Sequence, residues 1–222
     1  MNVLLFGATG MVGDGVLHEC LGDSRVDSVL AITRSPLGVR HPKLRELRRK
    51  DFLDYRDVAR ELETVDACFF CLGVSSVGMK EPEYYKLTYE LTMNFAKLVS
   101  RHNPGMTFCY VSGASTDSTE KGRMMWARVK GKTENDLMKL PFKKAVAFRP
   151  GFMKPSEGQK NVLKAYKYVG WMFPLLRPFS PSTFLTLSEV GTAMINAAIG
   201  GSDKQVLETK DIFALAHRTK AN

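Results

Sequence analysis

Three glycines near the amino terminus carry the clearest chemical signal in the sequence. Gly7, Gly10 and Gly13 are spaced three residues apart, and they follow the uninterrupted apolar run 3–6. Such a run predicts a strand buried on both faces of a parallel sheet, and the residues after the glycines have the pattern of a helix. A glycine turn between a buried strand and a helix offers backbone N–H groups to the diphosphate of a dinucleotide. The predicted cofactor loop contains Gly7, Thr9, Gly10, Met11, Val12 and Gly13.

Arg34 follows the second apolar run, where a dinucleotide site contacts the adenosine ribose. This run covers residues 28–33 and ends about 20 residues beyond the glycines, as such sites require. An acidic residue there accepts a hydrogen bond from the ribose 2′-hydroxyl and favours NAD, whereas the forked donors of an arginine suit the 2′-phosphate of NADP. We therefore predict that Thr33 and Arg34 bind the adenosine end of NADP(H), with NAD(H) as the less favoured cofactor.

Strands and helices must alternate to bring these residues together. Apolar runs alternate with helical patterns as far as residue 111, which predicts an α/β protein with a doubly wound parallel sheet, the Rossmann fold. Ligands of such sheets bind at the carboxyl ends of the strands. The glycine loop, Arg34, Gly73 and Ser112 should therefore share one rim. The basic segment 40–50 predicts an exposed strand at the edge of the sheet.

The composition is that of a single domain, residues 1–222, with a basic surface. The chain is 44% hydrophobic and carries a net charge of +9. This charge suits an anionic ligand, and it would also suit nucleic acid or an acidic membrane surface. No nucleic-acid reader motif, basic leader or apolar stretch of membrane-spanning length is evident. We therefore expect a small-molecule substrate, a cytoplasmic location and no nucleic-acid partner.

Cys68 and Cys71 form a Cys-x-x-Cys string, a pattern found in zinc and redox sites. They belong to an apolar run that predicts a strand, where residues three apart point to opposite faces. No second cysteine or histidine pair stands at zinc-ligand spacing. We therefore expect buried free thiols and no metal site.

The string Gly-Ala-Thr-Gly-x-x-Gly at 7–13 resembles the short-chain dehydrogenase/reductase superfamily. More narrowly, it is similar to the atypical members of NmrA-like and Tat-interacting-protein-like type, which are related to NAD-dependent epimerases and dehydratases. The resemblance implies three further groups of cofactor contacts: one to the adenine ring, one past the diphosphate and ribose, and one beside the nicotinamide. These groups are Asp51 and Phe52; Cys71, Leu72 and Gly73; and Pro150 and Gly151.

The resemblance also implies a catalytic serine, tyrosine and lysine. The serine polarises the substrate carbonyl, the tyrosine donates the proton, and the lysine contacts the nicotinamide ribose and lowers the pKa of the tyrosine. Ser112 and Lys130 match the serine and the lysine, but Trp126 occupies the tyrosine position. An indole N–H is not a usable acid near neutral pH, so the usual proton relay cannot run. The candidates for a substitute donor are Tyr84, Tyr85, Ser115 and Lys130.

The sequence beyond residue 152 carries fewer signals. By resemblance, residues 152–186 and 203–222 form a small lobe that covers the substrate. Its aromatic and apolar side chains would line an apolar pocket, although core packing, a subunit contact or a membrane surface would also account for them. They are Trp171, Met172, Phe173 and Phe179. Within this region Ser188 is the expected N-cap of a helix that extends to Ile199.

Two functions are consistent with these residues. The first is an NADP(H)-dependent oxidoreductase, monomeric or homodimeric, that acts on a small and apolar carbonyl compound. The second is a catalytically impaired sensor or regulator that binds NADP(H). Trp126 in place of the catalytic tyrosine favours the second.

Overall fold

The computed structural model describes residues 1–49, 59–155 and 182–218, which form alternating strands and helices. The strands in these ranges are β1 (Asn2–Phe6), β2 (Ser28–Thr33), β3 (Leu44–Arg48), β4 (Ala67–Phe70), β5 (Thr107–Val111), β6 (Lys144–Arg149), β7 (Phe152–Lys154), β8 (Phe184–Thr186) and β9 (Val206–Glu208). The helices are α1 (Met11–Gly22), α2 (Ala59–Glu63), α3 (Glu81–Tyr85), α4 (Leu91–His102), α5 (Met125–Leu137), α6 (Leu187–Gly200) and α7 (Thr209–Ala216).

Within the described ranges, the main sheet is parallel and has the order β3-β2-β1-β4-β5-β6-β9. The chain starts in the middle, moves outward to β3, and then returns to build β4 on the other side of β1. This reversal creates a switch point between β1 and β4, where doubly wound sheets bind their ligands. The predicted Rossmann fold is confirmed, and β3 lies at the edge of the sheet as its basic sequence predicted.

The apolar run of β1 is continuous because both faces of the sheet are covered. Val3 and Leu5 belong to a core cluster that includes residues of α1, α6 and α7. Leu4 and Phe6 belong to the opposite cluster, with residues of α2, α4 and α5. The ring of Phe6 packs on that of Phe95, with centroids 4.3 Å apart. Burial of each such side chain contributes about 1.5–3 kcal/mol, so two covered faces hold β1 at the centre.

The helical segment 81–102 contains an irregular turn. Between α3 and α4, residues Lys86–Glu90 form one π-helical turn. Such turns are rare and insert an extra residue into the helical repeat. The residues on either side therefore change face relative to an uninterrupted helix, which a period of 3.6 does not reveal.

The N-cap of helix α6 lies two residues before the predicted one. Ser188 is not the cap. Instead, the Thr186 hydroxyl accepts from the Glu189 amide at 3.1 Å, while the Glu189 carboxylate accepts from the Thr186 amide at 2.7 Å. This reciprocal capping box follows the Thr-x-x-Glu spacing and satisfies the backbone N–H groups of both residues.

The described parts of the predicted substrate lobe divide into two. Strands β7 and β8 form a separate parallel pair, in which the rings of Phe152 and Phe184 meet edge to face with centroids 5.9 Å apart. By contrast, β9 is the last strand of the main sheet, and Ile212 and Leu215 of α7 belong to the same core cluster as α6. Residues 206–216 therefore belong to the sheet and its cover. The predicted pocket residues 171–173 and 179 lie outside the described residues.

Candidate functional site

The glycine loop closes tightly against the rest of the chain. Gly7 has a φ of +78°, and a Cβ there would lie 2.7 Å from the carbonyl carbon of Cys71. A Cβ on Gly13 would lie 2.1 Å from the Gly7 carbonyl oxygen, and the Gly10 amide donates to that same oxygen at 2.8 Å. Two of the three glycines are therefore required by backbone packing, which brings the start of α1 directly over the end of β1.

The open end of this loop fits a dinucleotide diphosphate. Gly10 is exposed and is the N-cap of α1, where it supplies no side chain to the first-turn amides. Those amides have no carbonyl partner inside a helix and carry the positive end of its dipole. A bound diphosphate would accept from them. Met11 is buried in the core, so we expect it to contribute through its backbone.

The two predicted adenosine contacts at the end of β2 differ in exposure: Thr33 is buried and Arg34 is exposed. Thr33 is 3% exposed, and its hydroxyl donates to Glu46 Oε1 at 2.8 Å. Arg34, the next residue, is exposed on the rim. Glu46 was missed in the sequence because it stands alone among basic residues of an edge strand. Asp51 and Phe52, the predicted adenine contacts, lie outside the described residues.

The turn after β4 borders the glycine loop. The Cys71 amide donates to the Phe6 carbonyl at 3.0 Å and extends the pairing of β4 with β1. Leu72 follows half-buried, and Gly73 is exposed with open space where a side chain would stand. Burial raises the pKa of the Cys71 thiol well above its usual value, so this group stays protonated and unreactive at neutral pH. Cys68 and Cys71 pack on opposite faces of the sheet, as predicted.

The Ser112 hydroxyl is hydrogen-bonded within the protein. It is 6% exposed, and its hydroxyl lies 2.5 Å from Glu134 Oε1 and 3.1 Å from the Phe148 carbonyl oxygen. The hydroxyl has one proton, and it donates that proton to one or the other of these two acceptors within the protein. The hydroxyl is thus held by α5 and β6, and the role of Ser112 in polarising a substrate carbonyl stays a prediction.

Glu134 and Arg149 form a buried ion pair behind this serine. They are 1% and 8% exposed, and the guanidinium contacts both carboxylate oxygens, with an Nη2–Oε2 distance of 2.5 Å. Arg149 also donates to Glu208 at 3.0 Å and to the Ser118 hydroxyl. Burial works to lower the pKa of Arg149, but the two carboxylates outweigh it and raise that pKa. The pair fixes α5 against the ends of β6 and β9.

Lys130 lies one helical turn before Glu134, and it is half-buried. Its ammonium donates to the Ser112 carbonyl oxygen. Burial lowers the pKa of Lys130 to about 8, and the nearby Glu134 carboxylate only partly offsets this effect. Near neutral pH, both protonation states are therefore accessible, as a group that transfers protons requires. Trp126 is one turn earlier on the same helix, also half-buried.

The other candidate proton donors differ in access. Tyr84 is 1% exposed, and burial raises its pKa. Tyr85 stacks against Tyr89, with ring centroids 4.6 Å apart. Ser115 is exposed and has a φ of +68°, a rare conformation for a residue with a side chain. Tyr85 is half-buried, and Ser115 is the most exposed of the three.

The turns after β5 and β6 are joined directly. The Ala114 amide donates to the Pro150 carbonyl at 2.9 Å, and a Cβ on Gly151 would lie 3.2 Å from Thr209 Oγ1. Ser115 therefore lies next to the segment predicted to border the nicotinamide. Across residues 1–49, 59–155 and 182–218, no three His, Cys, Asp or Glu side chains are grouped to hold a metal ion.

A comparison with family models identifies the chain. Residues 3–122 match the NAD dependent epimerase/dehydratase family. The chain belongs to this family. Its matched region runs from β1 through the turn after β5, and thus contains the glycine loop, Arg34 and Ser112. Membership supports the prediction that the cofactor is a nicotinamide dinucleotide.

Relatives of this family member include fungal proteins named "Protein FMP52, mitochondrial". The one from Meyerozyma guilliermondii is 27% identical over 158 residues, which are 69% of this chain and 65% of the relative. The one from Candida albicans is 24% identical over 215 residues, covering 90% of this chain and 89% of the relative. The chain thus spans slightly less than two thirds of the Meyerozyma protein. The expected cytoplasmic location is contradicted by the mitochondrial names of these relatives.

Solved structures support the family fold. MoeE5 in complex with UDP-glucose and NAD superposes with a TM-score of 0.67 at 18% identity, covering 94% of this chain and 75% of that one. A short chain dehydrogenases/reductase from Saccharomyces cerevisiae superposes with a TM-score of 0.65 at 16% identity, covering 97% and 98%. No helix in the described part of this family member is long and apolar enough to cross a membrane.

Proposed function

We propose that the protein is an NADP(H)-dependent oxidoreductase that acts on a small, apolar carbonyl compound. The observation that carries the proposal is the uncapped amino end of α1, which faces the same rim as exposed Arg34. An anion-binding position at Gly10 and a second one at Arg34 would suit the diphosphate and the 2′-phosphate of one dinucleotide. Arg34 is the reason for preferring NADP(H) to NAD(H).

Different residues on the rim have different roles in the proposed reaction. When bound, the cofactor supplies the hydride that reduces the carbonyl carbon. Lys130 holds the nicotinamide ribose and, in place of the missing tyrosine, donates the proton that the carbonyl oxygen needs to become a hydroxyl. The resulting amine regains a proton from water, which its pKa of about 8 allows near neutral pH. Ser115 polarises the carbonyl, because the Ser112 hydroxyl is held by Glu134.

Cofactor choice is tested with Arg34→Asp, with Arg40→Asp as a matched control of equal charge change on an exposed residue. Dissociation constants for NADPH and NADH are measured by nucleotide fluorescence. We expect wild type and the control to prefer NADPH, and Arg34→Asp to lose at least about tenfold in NADPH affinity while NADH binding is kept. A preference for NADPH that survives Arg34→Asp refutes the assignment.

Turnover is tested by following NADPH oxidation with aldehydes, ketones and quinones. We expect reduction of at least one apolar compound, and loss of that activity in Lys130→Met. Activity that is unchanged in Lys130→Met would remove Lys130 from the reaction.

A second function is favoured by Trp126. A sensor that binds NADP(H) without turnover has no need of a proton donor at this position. We would then expect tight NADPH binding and no turnover in either wild type or Trp126→Tyr. Turnover by wild type would refute the sensor.

We also propose a mitochondrial location, on the strength of the names of the FMP52 relatives. Protease protection of the untagged protein in fractionated cells tests it. Recovery in the soluble cytosolic fraction alone would refute the proposal.

A further inference from the structure

The turn that carries Arg34 is attached to the neighbouring edge strand by one acidic side chain. Glu46 is the only acidic residue in segment 40–49, and it is half-buried on β3. Its Oε1 atom accepts from the Thr33 hydroxyl at 2.8 Å and from the Leu37 amide at 3.2 Å. One carboxylate oxygen therefore contacts residues on both sides of the exposed segment 34–36.

The backbone ties the same turn to β3. Glu46 is in register with Ala31, two residues before Thr33. The Arg49 amide donates to the Thr33 carbonyl at 2.8 Å, which continues the pairing to the last residue of β2. The start of the turn, at Thr33, is thus held by a backbone hydrogen bond from Arg49 and a side-chain hydrogen bond to Glu46. The end of the turn, at Leu37, is held by a hydrogen bond to Glu46.

We propose that Glu46 is a positioning residue for recognition of the cofactor 2′-phosphate. By holding both ends of the turn, it fixes the backbone from which Arg34 extends and so favours NADPH over NADH. The proposal rests on the NADP(H) preference put forward above. Its physical basis is pre-organisation, because an arginine on a fixed turn loses less conformational freedom when it binds phosphate.

The carboxylate is compatible with a phosphate nearby because its charge is locally compensated. Oε1 already accepts two hydrogen bonds, and Arg45, Arg48 and Arg49 accompany Glu46 on or just after β3. Segment 40–49 as a whole therefore carries a net positive charge, which favours binding of an anion.

Three variants test the proposal: Glu46→Ala, Glu46→Gln and Glu61→Ala. Alanine removes both hydrogen bonds, whereas the glutamine amide oxygen can accept both of them. Glu61→Ala is the matched control, since it removes a carboxylate that pairs with Arg45 of the same strand at 2.8 Å without contacting the turn. Dissociation constants for NADPH and NADH and melting temperatures are measured for all four proteins.

We expect the NADPH-to-NADH affinity ratio to fall about fivefold to tenfold in Glu46→Ala, the effect of losing one or two hydrogen bonds. We expect it to stay within about twofold of wild type in Glu46→Gln and Glu61→Ala. A merely structural role would weaken both dinucleotides equally, together with the melting temperature. An unchanged ratio in Glu46→Ala, or equal losses in the alanine and glutamine variants, overturns the proposal alone. A wild-type protein with no preference for NADPH overturns the cofactor assignment and this proposal together.

Discussion

Removing one residue of the buried ion pair Glu134–Arg149 should destabilise the fold much more than replacing both residues by apolar ones. Arg149→Met leaves the Glu134 carboxylate 1% exposed and without its guanidinium. Removing one partner of a buried ion pair costs about 3–5 kcal/mol, because the remaining charge is neither hydrated nor neutralised. For a chain of this size, each kcal/mol lowers the melting temperature by about 2–4 °C. We therefore expect a decrease of about 6–20 °C for Arg149→Met.

The surrounding contacts predict a smaller loss for the double variant Arg149→Met with Glu134→Leu. Neither residue of the pair then leaves a charge without its partner, and the Ser112 hydroxyl can still donate to the Phe148 carbonyl, 3.1 Å away. Glu208, the other partner of Arg149, has a side chain that is 47% exposed, so water can replace the lost contact. Replacing a buried pair by apolar residues is often close to neutral, and we expect about 1–2 kcal/mol for the double variant.

The free energy of unfolding is measured by chemical and thermal unfolding for wild type, both single variants and the double variant, which together form a double-mutant cycle. Each single variant removes one partner of the pair and is expected to cost about 3–5 kcal/mol, so the coupling free energy should be at least about 4 kcal/mol, above the usual range for neighbouring residues. Lys139→Met is the control, since it breaks the ion pair of Asp136 with a lysine that is 73% exposed and should cost at most about 1 kcal/mol. Arg149→Met within 1 kcal/mol of wild type, or a double variant no more stable than Arg149→Met, would refute the reasoning.

Three further predictions concern the loop, the lysine and the cap. Gly13→Ala should destabilise the fold by at least about 2 kcal/mol, because its Cβ would lie 2.1 Å from the Gly7 oxygen; Gly10→Val should fold but bind no dinucleotide, and calorimetric titration with unfolding curves separates the two outcomes. The folded-state pKa of Lys130 is about 8 against an ordinary 10.5, so the unfolded chain binds more protons between these values. The stability of wild type relative to Lys130→Met should therefore rise from about pH 8 to 10.5, and parallel melting-temperature profiles would contradict this. Thr186→Ala should cost about 1 kcal/mol through loss of the capping box, whereas Thr186→Ser keeps the hydroxyl, and equal melting temperatures of all three proteins would speak against the cap.

Local patterns in the sequence predict the sheet well because its central strands are buried on both faces. The apolar run before Gly7 could only be a strand covered on two sides, and β1 has that environment. The basic segment 40–50 predicts an edge strand for the converse reason, since a charged strand cannot pack under helices. Glycine spacing likewise predicts the close approach of α1 to β1, which requires no information from distant residues.

The contacts of Ser112 and the cap of α6 were not read from the sequence, for different reasons. Ser112 follows the correct strand, yet its hydroxyl is held by Glu134, 22 residues away in sequence. Ser188 is a suitable N-cap by residue type, but Thr186 and Glu189 satisfy each other's backbone N–H groups, which places the cap at Thr186. The Ser112 contact depends on the fold, whereas the capping box could have been read from its Thr-x-x-Glu spacing.

By itself, the sequence determined the order of the elements, the cofactor class and the rim on which the site lies, since periodicity and glycine spacing act within a few residues. Only the tertiary structure decided which side chains face that rim. It turned the Ser112 hydroxyl inward, left Ser115 and Arg34 exposed, and placed Glu46 and Glu134 behind them. The physical reason is that a polar side chain in a packed protein is oriented by its nearest unsatisfied partner, and that partner is brought within reach by the fold.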